Sequence, residues 1–259
     1  MAIVRLRPDE LRRAIDADAL TLQFQPQVRA RTGQLAGAEA FVRWPHPSHG
    51  MLGPSDLIPL VEIGRFHVEF DRWVVTAVCA QINRWVAVGF DVPVVAANLW
   101  TETLRSPEVV EMLGKIIIAS GVSARSIEIE VPRGSVGDAD LGQAARRLRI
   151  LGVRIASEEF SDPEVAKAAI DFDTLKIGYP IARELLTGNS TSAAAVKAVV
   201  AAAKMVDARV VADSVETPEQ EGALVALGCE IVQGYLYGPE VSATELRQLA
   251  AVGAKPAAE

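Results

Sequence analysis

The feature that most constrains the fold is the regular alternation of two kinds of segment along almost the whole chain. Apolar, β-branched runs typical of buried strands occupy residues 20–28, 35–44, 92–99, 127–131, 153–160, 174–177, 209–215 and 231–237. Helical patterns occupy residues 54–65, 70–88, 107–119, 139–151, 163–170, 191–206 and 218–227. Strands that alternate with helices at this spacing predict an α/β fold, specifically a (β/α)8 TIM-like barrel.

The first two runs are connected differently from the rest. Only residues 29–34 separate them, which is too short for a helical crossover and predicts a hairpin. We therefore expect the first strand to be antiparallel to the others. Residues 1–250 are predicted to form a single barrel domain, and the Ala-rich residues 251–259 a flexible tail.

The composition argues against several classes of function. A net charge of −7 disfavours binding to nucleic acid, because the phosphate backbone is also negative. Cys79 and Cys229 lie far apart in apolar runs, so we expect them to be reduced and buried in a cytoplasmic protein. The N-terminus lacks the apolar core of a secretory signal, and the apolar runs do not predict membrane insertion.

Polar side chains recur where the predicted strands end. In such barrels the carboxyl ends of the strands meet at one face, where catalytic and binding residues gather. The polar residues at these ends are Glu39, Asn98, Glu130, Glu158, Glu159, Lys176, Asp213 and Gln233. Oxygen ligands without Cys or His suit Mg²⁺ or Mn²⁺. The pattern favours a site in which Glu158 and Glu159 flank divalent ions that align a phosphate with an attacking water.

Seven segments, taken in order, carry a resemblance to a known family. They are GAEAFVRWPHPSHGMLGPSDLIPLVE, VVAANLW, IEIEV, VRIASEEF, DTLKIG, VVADSVETPEQ and LGCEIVQGYLYG. The ordered series closely resembles the EAL-domain family of cyclic di-GMP phosphodiesterases. The resemblance implies a (β/α)8 barrel with an antiparallel first strand. It also implies hydrolysis of cyclic di-GMP to linear pGpG with Mg²⁺ or Mn²⁺.

The resemblance assigns roles to individual residues. Glu39, in Glu39-Ala40-Phe41, falls on the metal-binding Glu that names the family, and Lys176 falls on the lysine that helps to activate the water. The other metal positions are Asn98, Glu130, Glu158, Glu159 and Asp213. The ligand-binding positions are Gln25, Phe41, Arg43, Asp71, Glu216 and Gln233.

The chain departs from the family pattern at the metal positions. Glu158 and Glu159 stand where the family has two Asp residues, and Asp213 stands where it has Glu. Because Mg²⁺ requires near-octahedral ligands at about 2.0–2.1 Å, one methylene more or less displaces a ligand from its place. A misplacement of about 1 Å can reduce a rate about a hundredfold. These changes predict a weakened metal site.

The loop after the glutamate pair also differs. Residues 161–163 read Ser-Asp-Pro instead of Gly-Thr-Gly, and the connection to Asp173 is shorter than the family pattern. Arg133 stands where the family has the Glu that holds this loop.

We therefore interpret the chain as a degenerate EAL-type domain that binds cyclic di-GMP or a protein partner with little or no hydrolysis. Arg43 is able to hold a phosphate bidentately without metal. One alternative is an active metal-dependent phosphodiesterase. Another is a protein-interaction scaffold without nucleotide binding, which Phe41 and Trp100 would favour by filling the pocket. A homodimer is compatible with each interpretation.

Overall fold

The strands form a closed barrel. The computed structural model describes residues 6–131, 138–158, 172–187 and 190–254. Its strands are β1 (Thr21–Arg29), β2 (Leu35–His46), β3 (Gly50–Leu52), β4 (Val95–Asn98), β5 (Ile127–Val131), β6 (Arg154–Ser157), β7 (Thr174–Ile177), β8 (Arg209–Ala212) and β9 (Ile231–Gln233). All except β3 join the barrel, and β1 closes it by pairing antiparallel with both β2 and β9. The predicted (β/α)8 barrel with an antiparallel first strand is confirmed.

Helices cover the outside of the barrel. They are α1 (Pro8–Asp16), α2 (Pro54–Gly64), α3 (His67–Ala87), α4 (Thr101–Leu104), α5 (Pro107–Ser120), α6 (Ala139–Ile150), α7 (Tyr179–Glu184), α8 (Ser190–Val206), α9 (Pro218–Ala226) and α10 (Ala243–Val252). Ser106 and Thr217 cap α5 and α9, since their side chains accept hydrogen bonds from the first turns of these helices. The helix predicted for 163–170 lies outside the described residues. None of the described helices is both long and apolar enough to cross a bilayer.

The C-terminal residues pack against the β1–β2 hairpin. Gly33 adopts a φ of 66°, and a Cβ there would lie 1.8 Å from the carbonyl oxygen of Ala254. The Ala254 amide donates to the Gly33 carbonyl at 2.9 Å, and Ala254 is buried. Helix α10 thus extends into the segment predicted to be a flexible tail, of which residues 255–259 lie outside the described part of the chain.

Successive residues along a strand face alternately the apolar core outside the barrel and the barrel interior. In β5, Ile127, Ile129 and Val131 join the large apolar core between barrel and helices, whereas Glu128 and Glu130 face the barrel interior. A separate small apolar cluster of Ala36, Val211 and Ile231 fills part of that interior. Both cysteines are buried and free of disulfides, as the sequence predicts.

A buried ion pair occupies the amino-terminal end of the barrel. Arg209 Nη2 lies 3.0 and 3.2 Å from the two carboxylate oxygens of Glu128, and the Thr174 hydroxyl donates to Glu128 at 2.6 Å. Glu128 has no exposed surface. We call this group the amino-end ion pair. It satisfies a carboxylate whose burial would otherwise be costly, and it leaves the carboxyl end of the barrel as the place for a binding site.

Candidate functional site

A large cavity opens at the carboxyl ends of the strands. Its volume is about 810 Å³, within the usual range for ligand pockets. One side is polar and is lined by Glu39, Asn98, Glu130, Glu158, Lys176 and Asp213. The other side is largely apolar and is lined by Phe41, Val42, Leu57, Ile58, Phe70, Val74, Leu99 and Trp100. The structure therefore brings six of the predicted metal and catalytic residues together with the predicted ligand residue Phe41.

Lys176 is central to the polar side. Its amino group donates to Glu39 Oε2 at 2.7 Å and to both oxygens of Glu130 at 2.9 Å, and it lies 3.7 Å from Asp213 Oδ2. Lys176 on β7 reaches Glu130 on β5 across β6, where the residue paired with Glu130 is Ala156. Paired residues of parallel strands face the same side, so the short side chain of Ala156 leaves room for the lysine.

Hydrogen bonds fix Glu39 from two further directions. Asn98 Nδ2 donates to Glu39 Oε1 at 2.7 Å, and Gln233 Nε2 donates to Glu39 Oε2 at 2.7 Å. Gln233 Nε2 also donates to Gln25 Oε1 at 2.8 Å, while Gln27 Nε2 donates to Gln233 Oε1 at 3.0 Å. The antiparallel pairing of β1 opposes Gln25 to Glu39 and Gln27 to Gln233, which brings the glutamines into contact. Glu39 is consequently held as a carboxylate by three donor side chains.

The buried charges shift one another's pKa. Burial has the largest single effect on Lys176 and would lower its pKa, but the charges of Glu130, Glu39 and Asp213 together raise that pKa well above its usual value. Burial and the neighbouring charge of Glu39 raise the pKa of Glu130 well above the ordinary range. For Glu39, burial is opposed by Lys176, Gln233 and Asn98, and its pKa is lowered. Lys176 and Glu39 are thus a charged pair, and Glu130 is the member of the cluster whose pKa burial and the Glu39 charge raise.

The comparison with known families decides the identity of this barrel. A family model described as the EAL domain matches residues 8–240. The chain belongs to the EAL domain family.

Several relatives resemble this EAL domain closely enough to compare. An uncharacterised protein of Mycobacterium tuberculosis is 32% identical over 246 residues, covering 92% of this chain and 39% of the relative. The bifunctional diguanylate cyclase/cyclic di-GMP phosphodiesterase MucR of Pseudomonas aeruginosa is 30% identical over 242 residues, covering 92% of this chain and 35% of MucR. The chain therefore spans well under half the length of these curated relatives. A solved complex of the MucR phosphodiesterase with cyclic di-GMP matches with a TM-score of 0.82 at 30% identity, covering 92% of this chain and 98% of that chain.

Arg43 lies at the rim of the EAL barrel, two positions beyond Phe41 on β2. Its guanidinium carbon is 5.8 Å from the centre of the Phe41 ring. The residue is only 9% exposed and does not line the large cavity itself. Glu216 lies further out, as an exposed residue at the start of the turn into α9. Phe41 thus lines the cavity and Arg43 lies beside it, whereas the predicted Gln25 and Gln233 are buried behind Glu39 and Glu216 is exposed outside the cavity lining.

Asp71 is placed differently from the other predicted ligand residues. It is fully buried on α3 and accepts a hydrogen bond from the Trp100 amide at 2.9 Å. Burial raises the pKa of Asp71 to about 7, and the nearby Thr103 hydroxyl and the Trp100 amide partly oppose this rise. Within the described residues, Asp71 Oδ1 and Thr103 Oγ1 lack a hydrogen bond of standard geometry. Asp71 therefore supports the segment that follows Asn98, and its direct contact with a ligand stays a prediction.

The departures from the family pattern map onto two sides of the mouth. Glu158 follows β6 and lines the cavity, and its amide donates to the Val131 carbonyl at 3.1 Å. Asp213 follows β8, and its carboxylate accepts from the Ser214 amide at 2.6 Å, with Ser214 in a left-handed conformation at φ 58°. Glu159, Arg133 and the loop of residues 161–171 lie outside the described part of the chain.

The donor chemistry of the site fits a hard divalent cation, because carboxylate and amide oxygens are the ligands that Mg²⁺ and Mn²⁺ prefer. The side chains that would hold such an ion are Glu39, Asn98, Glu130, Asp213 and Glu158. Among residues 6–131, 138–158, 172–187 and 190–254, however, no three acidic, His or Cys side chains are grouped as an ion would require. In this arrangement the Lys176 ammonium provides the positive charge between the carboxylates.

Two residues that contribute to the site were not predicted from the sequence. Gln27, two residues after the predicted Gln25 on β1, is fully buried and donates to Gln233, which extends the chain of hydrogen-bonded glutamines. Glu240, in the segment before α10, forms an ion pair with Arg43 at 3.3 Å. The glutamines recur at every second position, at Gln23, Gln25 and Gln27, and this alternation could have predicted that Gln27 faces the site. No sequence periodicity indicates Glu240.

Proposed function

We propose that this EAL domain is a receptor for cyclic di-GMP that binds the nucleotide at the barrel mouth with little or no hydrolysis. The observation that carries the proposal is the engagement of Lys176 with Glu39 and Glu130 beneath a cavity of about 810 Å³. A positive charge that already pairs with two carboxylates reduces their tendency to recruit a metal. The 30% identical relative MucR, named as a cyclic di-GMP phosphodiesterase and solved in complex with that nucleotide, supports the choice of ligand.

The two sides of the mouth suit the two parts of a cyclic dinucleotide. The apolar wall with Phe41 and Trp100 offers aromatic surface against which a guanine base packs. The Arg43 guanidinium at the rim offers a charge-assisted, bidentate contact for a phosphate. We further propose that residues 1–250 act as one EAL barrel domain in cytoplasmic signalling, with cyclic di-GMP and a protein partner or second copy as the molecules it contacts.

An active phosphodiesterase is the second candidate function. It is favoured by one observation, that Glu39, Asn98, Glu130, Glu158, Lys176 and Asp213 all line a single cavity. Divalent ions held there would polarise a phosphate and acidify a bound water. For that function Lys176 would orient the water by hydrogen bonding, and the Gln25, Gln27 and Gln233 chain would hold Glu39 in place.

Calorimetry and a hydrolysis assay on the same sample separate the candidates. Cyclic di-GMP is titrated into the protein in Mg²⁺ and again in EDTA, and the mixture is then analysed by chromatography for linear pGpG. We expect binding in both conditions and product near background. Cyclic di-AMP, which has the same phosphates and ring, is the matched control and should bind more weakly. Rapid formation of pGpG would establish the phosphodiesterase instead, and the lack of binding in either condition would favour a scaffold without nucleotide.

A further inference from the structure

The guanidinium of Arg43 already has three acceptors. Nε donates to Gln23 Oε1 at 2.7 Å, Nη1 donates to the Val42 carbonyl at 3.1 Å, and Nη2 lies 3.3 Å from Glu240 Oε1. A phosphate that binds an arginine bidentately uses two neighbouring N–H groups on one edge of the guanidinium. The Nε and Nη2 edge of Arg43 is covered by an amide oxygen and a carboxylate.

The position of Glu240 is fixed by its backbone. The next residue, Val241, forms a two-way bridge with Phe24 on β1, in which the Phe24 amide donates to Val241 at 2.8 Å and the Val241 amide donates back at 2.9 Å. Glu240 therefore lies beside the end of β1 where Gln23 and Arg43 also lie. Its side chain is 22% exposed against 10% for Arg43, so the carboxylate is partly open to solvent.

We propose that Glu240 is an internal competitor that sets the affinity of the barrel mouth for anionic phosphate ligands. A ligand phosphate that approaches the Nε and Nη2 edge of Arg43 must displace the Glu240 carboxylate and is repelled by its charge until it does so. The inference rests on the proposed function, because it concerns the phosphate contact of the same ligand. It differs from that function in predicting that removal of one negative charge from this side chain strengthens binding.

The carboxylate, and not the neutral Gln23 amide, is the selective element of this contact. An amide oxygen gives way to a phosphate at the cost of one hydrogen bond, whereas a carboxylate carries a charge of the same sign as the incoming group. Because the pair is partly exposed, its contribution is moderate. We expect Glu240→Gln to tighten the binding of cyclic di-GMP about twofold to fivefold.

The test compares cyclic di-GMP affinities by calorimetry in the absence of metal. Glu230→Gln is the matched control, since it removes the same charge from an exposed site that precedes β9 at the opposite end of the barrel. Glu240→Gln is measured again in an Arg43→Ala background, where its effect should disappear. The gain from Glu240→Gln should also shrink as salt is added, because salt screens the repulsion that the variant removes.

Each outcome has a distinct meaning. Tighter binding by Glu240→Gln alone supports the inference. If Glu240→Gln binds no more tightly than the unmodified protein, the inference is overturned and the proposed function stays intact. The same conclusion follows if Glu240→Gln still tightens binding in the Arg43→Ala background. Binding by Glu240→Gln when the unmodified protein binds nothing supports the competitor and overturns the receptor function. Failure of both proteins to bind overturns both.

Discussion

The Lys176 amino nitrogen lies 2.9 Å from each carboxylate oxygen of Glu130, although one strand separates the two residues in the barrel. This contact places a full positive charge among carboxylates that are almost completely buried. It makes the lysine as important to folding as to any chemistry at the mouth.

Substitution of the lysine should therefore be costly for stability. Lys176→Gln would leave Glu39 and Glu130 buried without their counter-charge, and we expect the free energy of unfolding to fall by about 3–5 kcal/mol. Urea denaturation at neutral pH measures the change. Lys197→Gln on the exposed surface of α8 is the control and should have little effect. A loss as small as that of the control would mean that the carboxylates are stable without the lysine.

The buried carboxyl of Asp71 should make stability depend on pH. Its folded pKa of about 7 lies above the ordinary aspartate pKa of 3.8, so the folded state holds the proton after the unfolded state has lost it. Its contribution to stability is therefore largest at low pH and decreases as the pH rises, by about 4 kcal/mol between about pH 4 and about pH 8. Asp71→Asn should remove this pH-dependent part of the free energy of unfolding. Parallel pH profiles for the two proteins, measured by chemical denaturation, would contradict the assignment.

Arg43 should matter more to nucleotide binding than metal does. Arg43→Ala removes a charged donor, and we expect it to weaken cyclic di-GMP binding by about 1.5–3 kcal/mol. Arg72→Ala, at an exposed position on α3, is the matched control for the loss of one arginine. If EDTA abolishes binding while Arg43→Ala leaves it unchanged, the metal and not the arginine holds the phosphate.

Restoring the family's aspartates alone should not restore hydrolysis. The double change Glu158→Asp and Glu159→Asp corrects the length of two ligands but leaves Asp213 short on the opposite side. A pair of catalytic ions must lie about 3.5–4 Å apart, so we expect the double variant to stay near background. Measurable formation of pGpG should require Asp213→Glu, a grafted Gly-Thr-Gly loop and Arg133→Glu as well. Chromatography with Mg²⁺ or Mn²⁺ measures it, and rapid turnover by the double variant would show that ligand length alone was limiting.

Gly234 should tolerate no side chain. Its φ is 145°, and a Cβ would lie 2.3 Å from the backbone nitrogen and oxygen of Val215. Gly234→Ala must therefore shift the turn next to Gln233, and we expect a loss of at least about 3 kcal/mol in the free energy of unfolding. Gly222→Ala is the matched control, since it lies in α9 with open space around it and should stabilise by about 0.5–1 kcal/mol. Equal melting temperatures for the two variants would refute the steric argument.

The sequence predicted the barrel because its strands and helices follow simple periodicities. It matched β5 and β7 but overestimated some other strands: residues 92–99 were predicted, whereas β4 covers only Val95–Asn98. Val92 and Leu99 are buried all the same, so hydrophobic burial extends beyond the last ladder hydrogen bond. The four-residue α4 was not predicted, since a single turn is too short to show a helical period.

The site was predictable where side chains follow strand alternation and unpredictable where they depend on loops. Glu39, Glu130 and Lys176 meet because each occupies an inward position near a strand end. Asp71 is buried and accepts a hydrogen bond from the Trp100 amide, a placement that only the three-dimensional packing of α3 reveals. Glu240 reaches Arg43 through a bridge between residues more than two hundred positions apart, which no local pattern encodes.

The amino-end ion pair has a consequence for how such a domain changes over generations. Arg209, Glu128 and Thr174 anchor the barrel at the end opposite the cavity. Substitutions at the opposite end, at positions such as Glu158, Asp213 or Glu240, therefore leave the contacts of this anchor unchanged. The cavity end is thus open to sequence change, while the anchor, which shares no residue with the cavity lining, continues to hold the strands together.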